Sequence, residues 1–334
     1  MPSNYPTLKD VSAEAGVSMA LASVVLSGKK SRIKASAETR ERILKAAEKF
    51  GYEPNRNARA LRMNSSFLIG VLAYDISSSF IPQILSGIEK GFIHTNYSVL
   101  PMSFNTQEEF AECLETFRRR KVDGLIIITT SFQEFPEGLA MWNRIGKVFI
   151  GCHPHLDYTS SVSADAFAVG ALAAKTFLKR KCKKFMYLTY SASNNINGWK
   201  KTLDDAGIPP GDRFTVYTKL DLELSLKIIS DTLTAHPEID CIFADSDIMA
   251  AAVLRAAELL GRKIPDDLQV IGVDDSIICQ ITSPKLTSIW QPKIEQGEAA
   301  AAAMLKLLKT NTGESLVLPV RLNDGKSIKP LEDI

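Results

Sequence analysis

From Phe67 onward the chain alternates short apolar runs with longer stretches of helical period, and no other feature restricts the fold as much. Strand-like runs lie at Leu68–Ala73, Val99–Met102, Leu125–Ile128, Val148–Ile150, Phe185–Leu188, Cys241–Ala244 and Val270–Val273. They are too short for helices and rich in branched residues, as strands buried on both faces are. Helical patterns at Ile81–His94, Glu108–Arg120, Asp165–Arg180, Leu222–Ala235 and Asp247–Leu260 separate most of them. A helix between consecutive strands is the usual crossover of a parallel pair, so the order implies βαβ units. Roughly 260 residues of this pattern exceed one compact sheet domain, and two lobes are expected.

The first sixty residues obey a different period. Thr7 can cap a first helix with Asp10 as its partner three residues on, Leu8, Val11 and Ala15 facing inward. Gly16 breaks the pattern, and Ser18 can cap a second helix running to about Leu26. Ser36 can cap a third, Ala37–Phe50, with Ile43, Leu44 and Ala47 inward and Gly51 as its stop. Two short helices joined by a glycine turn, with a third to close the core, describe a helix-turn-helix head, all-α, ahead of an α/β body.

Charge separates the two parts. The net charge of the 334 residues is only +2, yet residues 1–62 hold twelve Lys and Arg against six Asp and Glu, while the rest is mildly acidic. A basic head on an acidic body fits a nucleic-acid-binding module joined to a regulatory one. No signal-like apolar core opens the sequence and no apolar run approaches a membrane span, so a cytoplasmic protein without membrane contact is expected. Five scattered cysteines (Cys113, Cys152, Cys182, Cys241 and Cys279) and four histidines offer no C-x-x-C pair and no metal spacing; reduced, buried thiols are expected, with no metal and no cofactor.

Several motifs in fixed order resemble the lactose-repressor/galactose-repressor (LacI/GalR) family: TLKDVSAEAGVSMALASVVLSG (7–28), TRERILKAAEKFGYEPNRNARAL (39–61), VDGLIII (122–128), ADSDIMAAAVL (244–254), IPDDLQVIGVDD (264–275) and PKLTSIWQP (284–292). The resemblance spans nearly everything from Thr7 to Arg321. It implies a DNA-binding head at 1–54, a hinge helix and linker at 55–65, and an effector-binding and dimerisation body at 66–334. The body would resemble a periplasmic sugar-binding protein. Lobe one would be about 66–161 with 291–319, and lobe two about 162–290 with 320–334.

For the head, the resemblance implies that the second helix enters the major groove and that Ser18, Met19, Ala20 and Ser23 face the DNA, with Thr7 beside them. Lys29, Lys30, Arg32, Lys34 and Arg40 would hold phosphates. Leu21 stands where the family has threonine and Val24 where it has arginine; each either faces the duplex or packs in the head. Met19 and Ala20 can touch thymine methyls but cannot form the bidentate pairs that discriminate guanine or adenine. The eight-residue segment 55–62 is too short for a stable isolated helix, and should order only on DNA beside its dimer mate. There Leu61 matches the family's minor-groove wedge, flanked by Asn55, Arg59 and Arg62.

For the body, the resemblance implies a small-molecule effector, a sugar or related metabolite, bound between the lobes. Asp274 matches a ligand-contacting aspartate, and Asp247 an acidic residue with a structural role. Three positions depart from the family: Gly151 where aspartate is common, Asn195 where a ligand-binding arginine is usual, and Ser246 in place of asparagine. A standard hexose held in the standard way is therefore disfavoured. The alternatives are a different ligand touched by Phe80, Phe132, Ser77, Ser78, Ser193, Asn194 or Asn195, or a cleft with little effector affinity. No heptad tail follows Arg321, so a homodimer on a near-palindromic operator is expected. A transport solute-binding protein shares the body but would need an export signal and no basic head. An enzyme would need a phosphate loop, a nucleophile elbow or a metal cluster, and the sequence holds none.

Overall fold

The computed structural model describes residues 6–27, 35–52, 65–74, 76, 80–129, 139, 142–152, 158–190, 193–219 and 222–331. They form two compact units, Met1–Ser66 and Phe67–Ile334.

In the first unit, α1 (Leu8–Glu14), α2 (Met19–Ser27) and α3 (Ala37–Phe50) pack pairwise. Thr7 and Asp10 form a full capping box: the Thr7 N–H donates to the Asp10 carboxylate at 2.8 Å and the Asp10 N–H to the Thr7 hydroxyl at 3.4 Å. Ser18 and Ser36 accept from the Leu21 and Thr39 N–H groups at 3.2 and 3.1 Å. Gly51 ends α3 in the left-handed conformation, which glycine adopts without Cβ strain. The core gathers Val11, Ala15, Ala22, Val25, Ile43, Ala46 and Ala47, with Leu8, Leu21 and Tyr52 against it. Leu44 is a correction: it is 47% exposed, and Ala46 is buried instead. At 100° per residue, Ile43 shares its face with positions three and four further on, and Leu44 turns away.

The second unit has two six-stranded sheets. The first, in order β11-β5-β4-β3-β1-β2, is parallel throughout and comprises β1 (Leu68–Tyr74), β2 (Ser98–Phe104), β3 (Gly124–Ile128), β4 (Gly146–Ile150), β5 (Thr159–Ala164) and β11 (Ser315–Leu318). The second, in order β12-β10-β9-β8-β6-β7, comprises β6 (Phe185–Thr189), β7 (Arg213–Tyr217), β8 (Cys241–Ala244), β9 (Gln269–Val273), β10 (Thr287–Trp290) and β12 (Arg321–Asn323). Only its β10–β12 pair is antiparallel. Helices α4 (Ile81–Phe92), α5 (Gln107–Arg120) and α11 (Lys293–Thr310) flank the first sheet; α6 (Ala166–Lys179), α7 (Asn195–Asp205), α8 (Leu222–Ala235), α9 (Asp247–Leu259) and the short α10 (Ile278–Ile281) flank the second. Every residue of β3, β4, β6, β8 and β9 is buried, because both sheet faces are covered.

The chain passes between the sheets three times, after β5, after β10 and after β11. Because β5 runs to Ala164, the first passage comes about three residues later than expected from the sequence. Two helix pairs meet at glycines. A Cβ on Gly87 or Gly297 would overlap the Ile294 or Ile84 carbonyl, so α4 and α11 pack backbone to backbone. Gly170 and Gly198 seat α7 on α6 in the same way, against the Asn195 and Phe167 carbonyls.

Candidate DNA-reading head and inter-lobe cleft

On the head, Ser18, Met19, Ala20 and Arg40 are exposed, Met19 by 54%, and Ser23 is half-buried. Ser18, Met19 and Ala20 therefore share an open surface at the start of α2, while Arg40 stands on α3. Leu21 packs on the core, which resolves its two readings in favour of packing. Thr7 spends its hydroxyl in the capping box, donating to Asp10 at 2.7 Å; this bond holds the Asp10 carboxyl below its ordinary value. The phosphate-anchoring candidates Lys29, Lys30, Arg32 and Lys34, and the hinge candidates Asn55, Arg59, Leu61 and Arg62, lie outside the described residues, as do Ser77, Ser78 and Phe132.

In the body, the carboxyl ends of the strands of both sheets face a cleft, where open α/β sheets place their ligands. A cavity of about 110 Å³ opens there. Phe80, Ile128, Ile150 and Ser163 line it from the first sheet's side, Ser193, Asn194 and Asn195 from the start of α7, and Gln291, Lys293 and Gln296 from the second passage and α11. The sequence reading found Phe80 and Asn195 but not Lys293 or Gln296.

Asp274 and Ser246 do not line this cavity. Asp274 stands one layer behind it, accepting from Lys293 Nζ at 2.7 Å and from Gln291 Nε2 at 3.3 Å. Its backbone is left-handed (φ 105°), as is that of Asp275 (φ 51°). Such conformations cost roughly 1–3 kcal/mol each and persist where surroundings enforce them. Here the Asp274 N–H donates to the Ile289 carbonyl and the Asp275 N–H to the Ser288 hydroxyl, each at 3.0 Å. Lys293 also lies over the Phe80 ring, 4.7 Å from its centroid. Ser246 caps α9, accepting from the Met249 N–H at 3.3 Å. At Gly151 the φ is 94°, which glycine adopts without Cβ strain.

Asn195 donates to Asp245 at 2.6 Å, and Asp245 also accepts from Thr189 at 3.1 Å. Burial pushes the Asp245 carboxyl up to about 6, its hydrogen bonds opposing. Asp247 is likewise raised to about 6 by burial. It accepts from the Ser288 hydroxyl and the Ser276 N–H, both at 2.6 Å, a structural role as expected.

All five cysteines are buried and unpaired, and burial raises the Cys113, Cys152, Cys241 and Cys279 thiols. Cys182, Asp240 and Cys241 bring three potential metal-ligand atoms within 4.8 Å of one another. Their atoms have other work: Asp240 accepts the Lys183 and Lys184 N–H groups, Gln269 donates to Cys182, and Cys241 donates to the Lys184 carbonyl. Among the described residues no helix is long and apolar enough to cross a membrane.

A capped three-helix head with an open second helix, followed by two largely parallel sheets around a cleft, is the build of a DNA-binding regulator with a two-lobed α/β body. Comparison with known proteins agrees. Residues 7–55 match the bacterial regulatory proteins of the lacI family, and residues 174–328 a periplasmic binding protein-like domain. The ribose operon repressor of Bacillus subtilis is 30% identical over 312 residues, covering 91% of this chain and 92% of that protein. A lac repressor dimer bound to operator and the anti-inducer ONPF shares the fold, with a TM-score of 0.83 at 23% identity over 97% of this chain and 99% of that one. A LacI-family regulator from Enterococcus faecium with bound ribose is 27% identical, covering 79% of this chain and all of that one, with a TM-score of 0.69. The chain belongs to the lacI family of DNA-binding transcriptional repressors, which are not enzymes.

Proposed function

We propose that this protein is a cytoplasmic repressor that grips a near-palindromic operator as a homodimer and is controlled by a small metabolite in the inter-lobe cleft. The observation that carries the reading is the open face of α2, where Ser18, Met19 and Ala20 are exposed while Ala22 and Val25 anchor the helix to the head core. Methyl and thioether groups dominate that face, so discrimination would rest on thymine methyls and duplex shape more than on bidentate hydrogen bonds. The starts of α2 and α3, where each serine caps one first-turn N–H, would offer phosphate seats through the rest of that turn.

A second copy of the chain is the partner we assign to the body. Helices α8, α9 and α10 are neighbours, and each exposes aliphatic side chains: Leu222 and Ile248 at the starts of α8 and α9, and Ile277 and Ile281 at the two ends of α10. Uncovered branched residues on adjacent helices favour an interface. Two-fold pairing would bring two heads to half-sites one helical turn apart. The hinge at 55–65 would then fold on the duplex, with Leu61 wedged in the minor groove. Effector and operator would each weaken or strengthen the other by the same factor. The similarity to ribose operon repressors and to a ribose-bound regulator supports a carbohydrate or related metabolite as effector.

The test is Leu61→Ala measured against operator and random duplex in parallel. Specific affinity should fall tenfold or more while non-specific binding and its salt dependence hold. Equal losses on both duplexes would contradict the wedge.

A further inference from the structure

We infer that the cleft is built for a small polyhydroxylated metabolite carrying an oxyanion, a carboxylate or a phosphate, rather than for a neutral sugar. The inference rests on the cleft being the effector site.

The first observation is a donor without an acceptor. Gln296 is 3% exposed and lines the cavity, and its amide Nε2 has no hydrogen-bond partner. Buried donors are rarely left unpaired, and one on a side chain that lines a cavity calls for an acceptor on what fills it. The second is a cation one helical turn away. Lys293 precedes Gln296 by three residues, so both lie on one face of α11, and both line the cavity. An ammonium has three donors; Asp274 takes one at 2.7 Å, leaving Lys293 able to bridge that carboxylate to a ligand oxygen.

Helix ends supply the rest of the field. Helices α4, α7 and α11 start at Phe80, Asn194 and Pro292 with no side-chain cap, and residues of all three starts line the cavity. Each such end carries a partial positive charge that favours an anion; at α7 the first N–H groups are held by Ser193 and Asn194, so the dipole and not a free N–H is what that end supplies. Among the described lining residues there is no aspartate or glutamate. A neutral sugar presents hydroxyl protons and is served by carboxylate acceptors; the side chains of this lining offer serine hydroxyls and amide oxygens in their place. Phe80, steadied by Lys293 above it, offers an apolar face for the carbon skeleton.

The test uses the full-length protein and matched pairs that differ in charge: glucuronate against glucose, galacturonate against galactose, ribose 5-phosphate against ribose, with inorganic phosphate as the free-anion arm. Thermal shift and calorimetric titration give the affinities. At least one anionic member should bind tenfold or more tightly than its neutral partner, and the uronate and phosphate arms decide which oxyanion is preferred. Lys293→Met with Asp274→Asn, which removes the charge pair together, should abolish that preference; Gln296→Leu should weaken the anion about tenfold, as loss of a charge-assisted bond does. Neutral sugars bound as tightly as their anionic partners, or a preference that survives in both variants, would overturn the anion seat while leaving an effector cleft in place. Failure of every compound to bind would overturn both the anion seat and the cleft as effector site, whereas operator binding by the same sample would keep the DNA reading.

Discussion

Asp245→Asn should make this protein more stable at neutral pH. The carboxyl is buried beside Tyr187, accepts from Asn195 and Thr189, and is raised to about 6 against 3.8 for the free group. Between those values the folded chain keeps a proton that the unfolded chain has lost, so folding takes up protons there. Stability therefore rises as pH falls from about 7 towards 4, and levels off below. Above pH 6 the ionised group costs roughly 3 kcal/mol relative to its neutral form, at 1.36 kcal/mol per pH unit. Asparagine has the same shape; its Oδ1 can accept from Asn195 while its amide faces the Thr189 hydroxyl. Urea unfolding at pH 7.5, followed by the fluorescence of buried Trp199, should show the variant about 2–3 kcal/mol more stable than the parent. With an m-value of roughly 3 kcal/mol/M, the midpoint rises by just under ~1 M. At pH 4 the two proteins should converge. A variant no more stable at pH 7.5, or a gap that persists at pH 4, would refute the claim that burial holds this group at an energetic cost.

Other expectations follow from the packing. Gly170→Ala would press a methyl into the Asn195 carbonyl and the Trp199 N–H; overpacking of this kind costs about 1–3 kcal/mol and should move Asn195, weakening effector binding. Gly211→Ala meets open space and should be neutral or stabilising by roughly 0.5 kcal/mol, which makes it the control in the same melt. Ile43→Ala empties the centre of the head, where Ile43 is fully buried. At about 2–4 kcal/mol it should abolish operator binding, measured by mobility shift, while effector affinity of the body stays unchanged.

The parts of the fold legible in the sequence were those whose burial is apolar. The runs at Cys241–Ala244 and Leu222–Ala235 were read to the residue because periodicity and packing coincide there. β5, Thr159–Ala164, was missed since three of its buried residues are serines. The hydroxyls of Ser160 and Ser161 bond to Glu314 and Ser315 at the edge strand, a partnership 154 residues away that no local pattern announces. Helix α7 and its cap Asn194 open with polar NNING, which reads as loop; Gly198 against Phe167 and Trp199 in the aromatic cluster of Phe177, Phe185, Tyr187 and Phe243 make it helical.

The candidate site divides the same way. Family motifs pointed to the face of α2 that proves open, the Asn195 and Ser246 departures, and Asp274. The role of Asp274 behind Lys293 depends on two left-handed residues and on a helix after Pro292 that apolar spacing barely signals. Lys293 and Gln296, spaced three apart after that proline, were the available clue. Ser246 took its cue from the family, but the hydroxyl is engaged as a helix cap.

Enrichment of binding sites from a pool of random duplexes by the purified full-length protein would decide whether the small basic unit reads sequence as a symmetric pair. The account predicts a near-palindromic motif with thymines under the Met19 and Ala20 positions and a deformable step at its centre. A pool that stays unenriched at moderate salt, or a motif without two-fold symmetry, would contradict it.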